Sequence, residues 1–420
     1  LFKIMNKKIL FLFFISLLSH CSNGNKSADQ KELKVLISQK DSLPYPGLSM
    51  DTIFYDFVAY EKNKIHFDSG LLHFFQQLKI LEQGSIQQVR IAHIGDSHVQ
   101  ADFFPGKLRC LFQNRFGNAG RGLVFPYQQA GTHSPIDFKT ESKAQFESKR
   151  SVFQKGGPSI GISGMSIKSK RPDFDLFFYL KERYGQLQGF DQLSIFREPA
   201  EGINWRLIAD EKTFLPLPLS HNFEEVFHLD EPVTSATIQA VGNKEVTIHG
   251  LLLENTSDKG ILYNMMGVNG TTYYHFNRCE YLAPQLKALK PDLIILTLGT
   301  NEALHPGFSR VAFERESRNF LQKLKESCPQ SSILITTLSD AWFKKRKPNP
   351  RTEAAREVLI RMARDFRAGY WDLFEIMGGA GSMQPWVEAQ LGYVDYIHFT
   401  QAGYELQADL LFTALMNEYH

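Results

Sequence analysis

The chain is poor in cysteine, with four residues in 420 and no Cys-x-x-Cys spacing among them. That excludes a disulfide framework and a zinc site of the usual ligand spacing. Cys110, Cys279 and Cys328 allow at most one bridge, and nothing in their spacing selects a pair. An excess of either charge is also missing, since 47 Lys and Arg against 45 Asp and Glu leave a net +2. A protein that holds nucleic acid by its overall field needs much more, so no nucleic acid partner is expected. No apolar run is long enough to span a bilayer comfortably: the longest, Ile9 to Leu18, is broken at Ser16 and falls well short of about 20 residues. The histidines His93, His133, His275 and His305 show no ligand spacing, so no metal is expected. The glycine-rich loop Gly117-Asn118-Ala119-Gly120-Arg121-Gly122 has the wrong spacing for a phosphate cradle and follows a helix instead of opening one. No cofactor is expected there or elsewhere. What remains, 43% hydrophobic and 22% charged, is an ordinary globular composition, long enough for two units.

The amino terminus reads as a targeting segment, residues 1–21, with Met5 as the natural start. Lys7-Lys8 precede the short apolar run, which closes on Leu18-Ser19-His20-Cys21 and a polar stretch. This resembles a bacterial lipoprotein signal in which Cys21 becomes the lipidated first residue. An ordinary secretory signal with an incidental cysteine is the alternative. Either implies export to the periplasm or cell surface, and the lipoprotein reading implies attachment to a membrane, the outer one above all, through a lipid anchor. Residues 22–64, with Pro44, Pro46 and Gly47, read as a tether.

The spacing of Leu71, Leu72, Phe74, Phe75, Leu78, Ile80 and Leu81 predicts a helix over 69–81. A strand follows and stops abruptly at Gly95-Asp96-Ser97, and a second helix is expected over 105–116. A hydroxyl on a small turn after a strand sits at the carboxyl edge of a sheet, where open α/β folds bind ligands. The competing reading is an Asx-type turn in which Asp96 and Ser97 only satisfy backbone donors. Between Pro135 and Leu253 short β-type runs replace the helices, at 174–180, 192–196, 205–209, 225–229, 236–240 and 246–252. That pattern predicts an inserted β-sandwich, with a jelly roll of the carbohydrate-binding kind as the economical form and a ligand-free structural insert as the alternative. After it, strands at 261–268, 293–298, 333–338 and 370–374 alternate with helices, the signature of a parallel sheet covered on both faces. The boundaries expected are therefore 65–134 and 254–420 for a split α/β domain around an insert at 135–253.

Gly157-Pro158-Ser159-Ile160-Gly161 matches the nucleophile-elbow pattern, but no apolar strand precedes it and no helix pattern follows, so it is not read as a site. Three other places carry chemistry together with Ser97: Gly267-Val268-Asn269-Gly270, Leu298-Gly299-Thr300-Asn301-Glu302, and Asp395-Tyr396-Ile397-His398. Each has a bland reading, as a turn glycine, a helix cap or a solvated pair. Jointly they fall at the carboxyl edge of one predicted sheet. An Asp and a His three residues apart allow the carboxylate to hold one imidazole nitrogen while the other faces a hydroxyl. Asn301 offers a side-chain N–H, and Gly270 and Ser97 offer backbone N–H groups, to a developing oxyanion.

In this order the blocks resemble those of the SGNH/GDSL hydrolase superfamily. The resemblance implies a flavodoxin-like parallel sheet between helices, with Ser97 as nucleophile and first oxyanion donor. Gly270 and Asn301 become the other donors, Asp395 the orienting acid and His398 the base. Glu302 stands where the superfamily's third block usually has Asp, and His98 where many members have Leu. Closer still is the likeness to the peptidoglycan O-acetylesterase-like branch, carried by Gly95-Asp96-Ser97-His98, Gly299-Thr300-Asn301-Glu302-Ala303, Trp371-Asp372-Leu373-Phe374, Met377-Gly378-Gly379, Gly381-Ser382-Met383 with Trp386, and Asp395 to Thr400. It implies a serine esterase that removes O-acetyl groups from a glycan such as peptidoglycan, and a carbohydrate-binding-like insert. An O-acetyltransferase with the same triad is the nearest alternative, a non-catalytic glycan-binding lipoprotein one of another class, and a long-acyl lipase a lesser one. Trp386 is open to two readings, stacking on a sugar or core packing, while His93 reads as a buried strand residue.

Overall fold

The computed structural model describes residues 54–420 apart from Gln154 and Ser220. The targeting segment, Cys21 and most of the tether lie outside the described residues. Strands that are apolar at every position can be covered on both faces, and the central sheet is built this way. Its strands are β1 (Ile65–His66), β2 (Gln88–Gly95), β3 (Gly260–Gly267), β4 (Leu293–Thr297), β5 (Ser332–Thr336) and β6 (Gly369–Trp371). They lie in the order β1-β6-β5-β4-β2-β3, with β1 antiparallel on the edge and the other five parallel. Counting only the parallel strands, the spatial order is second, first, third, fourth, fifth. This is the flavodoxin-like order expected, and its reversal falls between β2 and β4.

The helices used below are α1 (Leu72–Glu82), α2 (Ser97–Gln100), α3 (Phe103–Phe116), α4 (Arg310–Ser327), α5 (Arg351–Asp365) and α6 (Gln401–Tyr419). Alternate strand residues point to opposite faces, and the core divides accordingly. Val89, Ile91, Leu293, Ile295 and Leu334 join the cluster of α1, α3 and α6. Ala92, Ile94, Ile294, Leu296, Ile333 and Ile335 join that of α4, α5 and the helix Leu282–Leu289.

Between α3 and β3 the chain builds two antiparallel sheets. One runs in the order Lys212–Phe214, Ile203–Ala209, Ser235–Gly242, Phe174–Leu180, Phe138–Glu141. The other runs Glu224–Val233, Phe190–Arg197, Thr247–Glu254, Met165–Ser169, Phe146–Arg150. They face each other through Phe178 on Phe190 and Phe146 on Phe174, each pair with ring centroids 5.5 Å apart. The sandwich begins before residue 135, because Gly122–Val124 already pairs with Thr247–Glu254. A fully buried triplet has no alternation by which a strand can be read. The tether also ends earlier than Lys64. Val58 and Tyr60 are buried, and the Ala59 N–H donates to the Ile376 carbonyl at 2.9 Å, so the described residues before Ile65 pack on the sheet.

The sandwich and the α/β part share one apolar cluster and one buried ionic cluster. Asp102 Oδ2 accepts from Arg109 at 3.0 Å, Arg121 at 2.8 Å and Arg183 at 2.8 Å. Asp137 accepts from Arg109 at 3.1 Å and from Arg121 at 3.0 Å. Three guanidinium groups, two carboxylates and almost no exposure fix α3 against the first strands of the insert.

Candidate active site

The turn after β2 depends on two close approaches. A Cβ on Gly95 would lie 2.2 Å from Val99 Cγ2, and one on Gly267 would lie 2.2 Å from the Gln100 nitrogen. These two glycines are register partners on β2 and β3. Their missing side chains let the short helix α2 lie directly over the strand ends with Ser97 at its start. Asp96 caps that helix, its Oδ1 accepting from the His98 N–H at 3.0 Å. The Asx-type role is therefore present, and it coexists with the chemistry.

Ser97 Oγ lies 2.9 Å from His398 Nε2, and His398 Nδ1 lies 2.7 Å from Asp395 Oδ2. Asp395 Oδ1 also accepts the backbone N–H groups of Ile397 and His398, both at 2.9 Å. Holding the Nδ1 proton on the carboxylate leaves the Nε2 lone pair facing the serine hydroxyl. The Asp395 loop is not a strand end as expected. It lies between the helix Met383–Glu388 and α6, and is brought to the sheet edge by the packing of α6 on α3.

Burial pushes the Asp395 carboxyl up, but the His398 imidazole and the two loop N–H groups outweigh it and hold it well below the usual carboxylate range. Its hydrogen bond raises the His398 imidazole above its ordinary value, against burial. His98 is different: burial, helped by the nearby His398, lowers it to about 3 and keeps it neutral. Its Nδ1 meets the Tyr404 hydroxyl at 3.0 Å and its ring packs 5.2 Å from that of His398.

Gly270 takes a left-handed φ of +79°, a conformation that suits glycine. The N–H groups of Ser97 and Gly270 find no acceptor among the described residues. Asn301, at the start of the short helix Thr300–Leu304, donates through Nδ2 to the Thr271 carbonyl at 2.9 Å and to Asp96 Oδ2 at 3.2 Å. Sequence reasoning missed this second bond, because nothing in local spacing pairs residues on different strand ends. Next to it Glu302 is half-buried with its carboxyl turned inward; burial pushes that carboxyl up to about 8, and Oε1 accepts the Tyr273 N–H at 2.8 Å. Asp96, fully buried, is pushed up to about 7. A cavity of about 550 Å³ borders Gly270 and Asn301, with Tyr274, His275, His305 and Phe308 in its walls.

Residues 242–406 match the model of the GDSL-like lipase/acylhydrolase family, a span that holds Gly270, Asn301, Asp395 and His398. That stretch, 165 of the 420 residues, is what the chain shares with the family. Ser97 lies outside the matched span because the sandwich separates the first block from the rest. Among solved structures, a peptidoglycan O-acetylesterase is similar with a TM-score of 0.69 at 22% identity, over 82% of this chain and 95% of that one. A lipase/acylhydrolase from Enterococcus faecalis matches 36% of this chain and 74% of its own at 23% identity, with a TM-score of 0.30. A family two carbohydrate esterase from Cellvibrio japonicus matches 67% and 98% at 12% identity, with a TM-score of 0.28. No curated protein sequence matches the chain.

Other motifs of the chain turn out to be structural. Ser159 does meet a histidine, His249 Nε2, at 3.1 Å. Gln285 fixes the wrong tautomer, however. Its Oε1 accepts from the Ile162 N–H at 2.9 Å, so its Nε2, 2.9 Å from His249 Nδ1, must donate there. His249 then carries its proton on Nε2 and cannot take one from Ser159. The glycine-rich loop has no space for a phosphate: a Cβ on Gly120 would lie 2.6 Å from the Leu253 carbonyl oxygen, and one on Gly122 2.2 Å from that of Tyr263. Trp386 is wholly buried against Phe57 and Phe399, which makes it a core residue. His93 is buried between the Tyr263 and Thr297 hydroxyls, 2.8 Å from each. Cys110, Cys279 and Cys328 are free and buried. Among the described residues no helix is long and apolar enough to cross a membrane.

Proposed function

We propose that the chain is a serine esterase that removes O-acetyl groups from a glycan, peptidoglycan or another acetylated polysaccharide. The observation that carries this reading is the unbroken line from Asp395 Oδ2 through His398 to Ser97 Oγ, with steps of 2.7 and 2.9 Å. Ser97 Oγ attacks the acetyl carbonyl carbon while His398 Nε2 takes its proton. The oxyanion faces the N–H groups of Ser97 and Gly270 and the amide of Asn301. The sugar oxygen leaves with the proton from His398, and water then attacks the acetyl-enzyme, with His398 again as base, to release acetate.

Two features support a glycan as the alcohol. The cavity beside Gly270 and Asn301 has far more room than an acetyl group fills, and the peptidoglycan O-acetylesterase shares the fold over most of both chains. In the same reading the sandwich is a jelly-roll domain of carbohydrate-binding kind. The chain is exported and lipidated at Cys21, as an outer-membrane lipoprotein.

Acetate release from O-acetylated peptidoglycan and from O-acetylated plant polysaccharide tests the proposal. Ser97→Ala is expected to cut release about 10⁴-fold or more. Unchanged release would end the catalytic reading in favour of a glycan-binding lipoprotein. Acetyl transfer to an added glycan in excess of free acetate would make the protein an O-acetyltransferase.

A further inference from the structure

A short hairpin leans on the catalytic loop. Trp342–Phe343 pairs antiparallel with Lys347–Pro348, and the turn is closed by the Arg346 N–H donating to the Phe343 carbonyl at 3.2 Å. Lys344 and Lys345 occupy the turn with φ of +52° and +57°. Two consecutive left-handed residues are the geometry for which Asn and Gly are preferred. A residue with a Cβ is disfavoured there. Lysines stand in both positions, so local backbone preference does not explain the sequence of this turn. Lys344, Lys345, Arg346 and Lys347 are all exposed, and none forms an ion pair with a described residue. Four successive cations, with the Lys344 ammonium also 5.4 Å from the Phe343 ring centroid, thus stand at one point of a chain whose net charge is only +2.

The position of the hairpin is as specific as its charge. On one side the Trp342 ring stacks on Tyr396 at 4.6 Å, and the Trp342 backbone N–H donates to the Tyr396 carbonyl at 2.9 Å. Tyr396 lies between Asp395 and His398. On the other side the Arg351 guanidinium lies 5.3 Å from the Phe343 ring and donates to the His305 carbonyl at 3.0 Å. His305 lines the cavity beside Gly270 and Asn301. The cations therefore sit on a hairpin that touches the triad loop on one side and is joined through Arg351 to a wall residue of the cavity on the other.

We propose that this hairpin is an anion-binding rim of the active site, and that the favoured substrate is a glycan strand bearing carboxylates close to its acetylated sugar. The proposal rests on the esterase reading and adds a charge requirement to it. A strand lying along the rim places its ester at Ser97 and its carboxylates beneath Lys344 to Lys347. The local positive field raises the encounter rate and holds the strand in register.

The variant that tests this is Lys344→Asn, Lys345→Gly, Arg346→Ser, Lys347→Ser, in which Asn-Gly suits the turn better than the native pair and so protects folding. The measurement is the ratio of kcat/KM on O-acetylated peptidoglycan, rich in peptide carboxylates, to that on O-acetylated glucomannan, which is uncharged. The ratio is expected to fall about tenfold at low ionic strength, mainly through KM. The difference should disappear near 1 M salt, where the Debye length is about 3 Å. An unchanged ratio, or an equal loss on both polymers, overturns the proposal. So does loss of binding to phosphatidylglycerol vesicles with the ratio intact, which would assign the cations to a membrane surface. Hydrolysis of 4-nitrophenyl acetate by the wild type, and its abolition in Ser97→Ala, checks the esterase reading separately.

Discussion

The Asn301 amide nitrogen lies 3.2 Å from Asp96 Oδ2 and spends its other hydrogen on the Thr271 carbonyl at 2.9 Å. Both of its hydrogens are thus placed before any substrate arrives, and the longer bond is the one a developing oxyanion can displace. Asn301→Ala is expected to lower kcat by about 10²–10³. Asp96→Asn should also lower kcat, by about 10- to 100-fold through misplacement. A carboxamide cannot accept from both the His98 N–H and Asn301, so one amide donor then faces another. Steady-state kinetics on a simple acetyl ester measure both, and the double variant should lose less than the product of the two losses. Independent, multiplying losses would mean that Asp96 does not act through Asn301.

The Asp395 hydrogen bond raises His398 above its ordinary pKa, and the base must be neutral to accept the Ser97 proton. Activity is therefore expected to rise with pH along an acid limb whose midpoint lies above 6.5, the usual histidine value. In Asp395→Asn the burial of the imidazole is no longer opposed, so the limb should move to lower pH while the rate collapses. A kcat/KM profile from pH 5 to 9 shows the limb. A limb unmoved by the substitution would mean that Asp395 does not set the imidazole's affinity for its proton.

Two buried carboxyls make stability depend on pH in the opposite sense to ordinary acid denaturation. Burial raises Glu302 to about 8 and Asp96 to about 7, against ordinary values of 4.5 and 3.8. Between those limits the native state keeps protons that the unfolded chain has released, so stability falls as pH rises. His398, also raised, acts in the same direction above 6.5. Burial lowers His93, His98 and His249 to about 3, so these three work the other way below pH 6.5, and urea unfolding at pH 7, 7.5 and 8 is where the decline should show. Glu302→Gln, whose amide oxygen can still accept the Tyr273 N–H, should flatten it, and an equally steep decline in that variant would contradict the assignment.

The ionic cluster between α3 and the sandwich should be intolerant of losing one acid. Asp102 has a left-handed φ of +57°, so Asp102→Asn keeps a residue that tolerates this backbone and removes only the charge. Arg109 and Arg121 would then keep Asp137 alone, and Arg183 would lose its carboxylate in the cluster. The expected destabilisation is about 3–5 kcal/mol by equilibrium denaturation. A loss below about 1 kcal/mol would show that water already screens the arginines.

Much of this architecture was legible in the residues themselves. Strands such as Leu293–Thr297 are long enough and apolar enough to announce a doubly covered sheet, and the motifs around Ser97, Asn301 and His398 were recognisable from their order. Short strands were not. Gly122–Val124 has three residues, and Phe146–Arg150 and Met165–Ser169 carry Ser and Lys at positions where pairing, not hydrophobicity, makes the strand. The Asp96–Asn301 bond joins residues 205 positions apart and depends on where two strand ends meet in space. The hairpin at Trp342 was hidden for a related reason: lysines in its turn contradict the Asn and Gly signal by which such turns are found.

The strand Thr247–Glu254 passes into β3 through a few residues, and Gly122–Val124 fastens the same strand from the other end of the insert. Through these links and the shared cluster, the sandwich and the α/β part are packed on one continuous core. Ser97 and His398, brought from opposite sides of the insert in sequence, already stand in hydrogen-bond contact, so the polymer meets a triad assembled before it arrives.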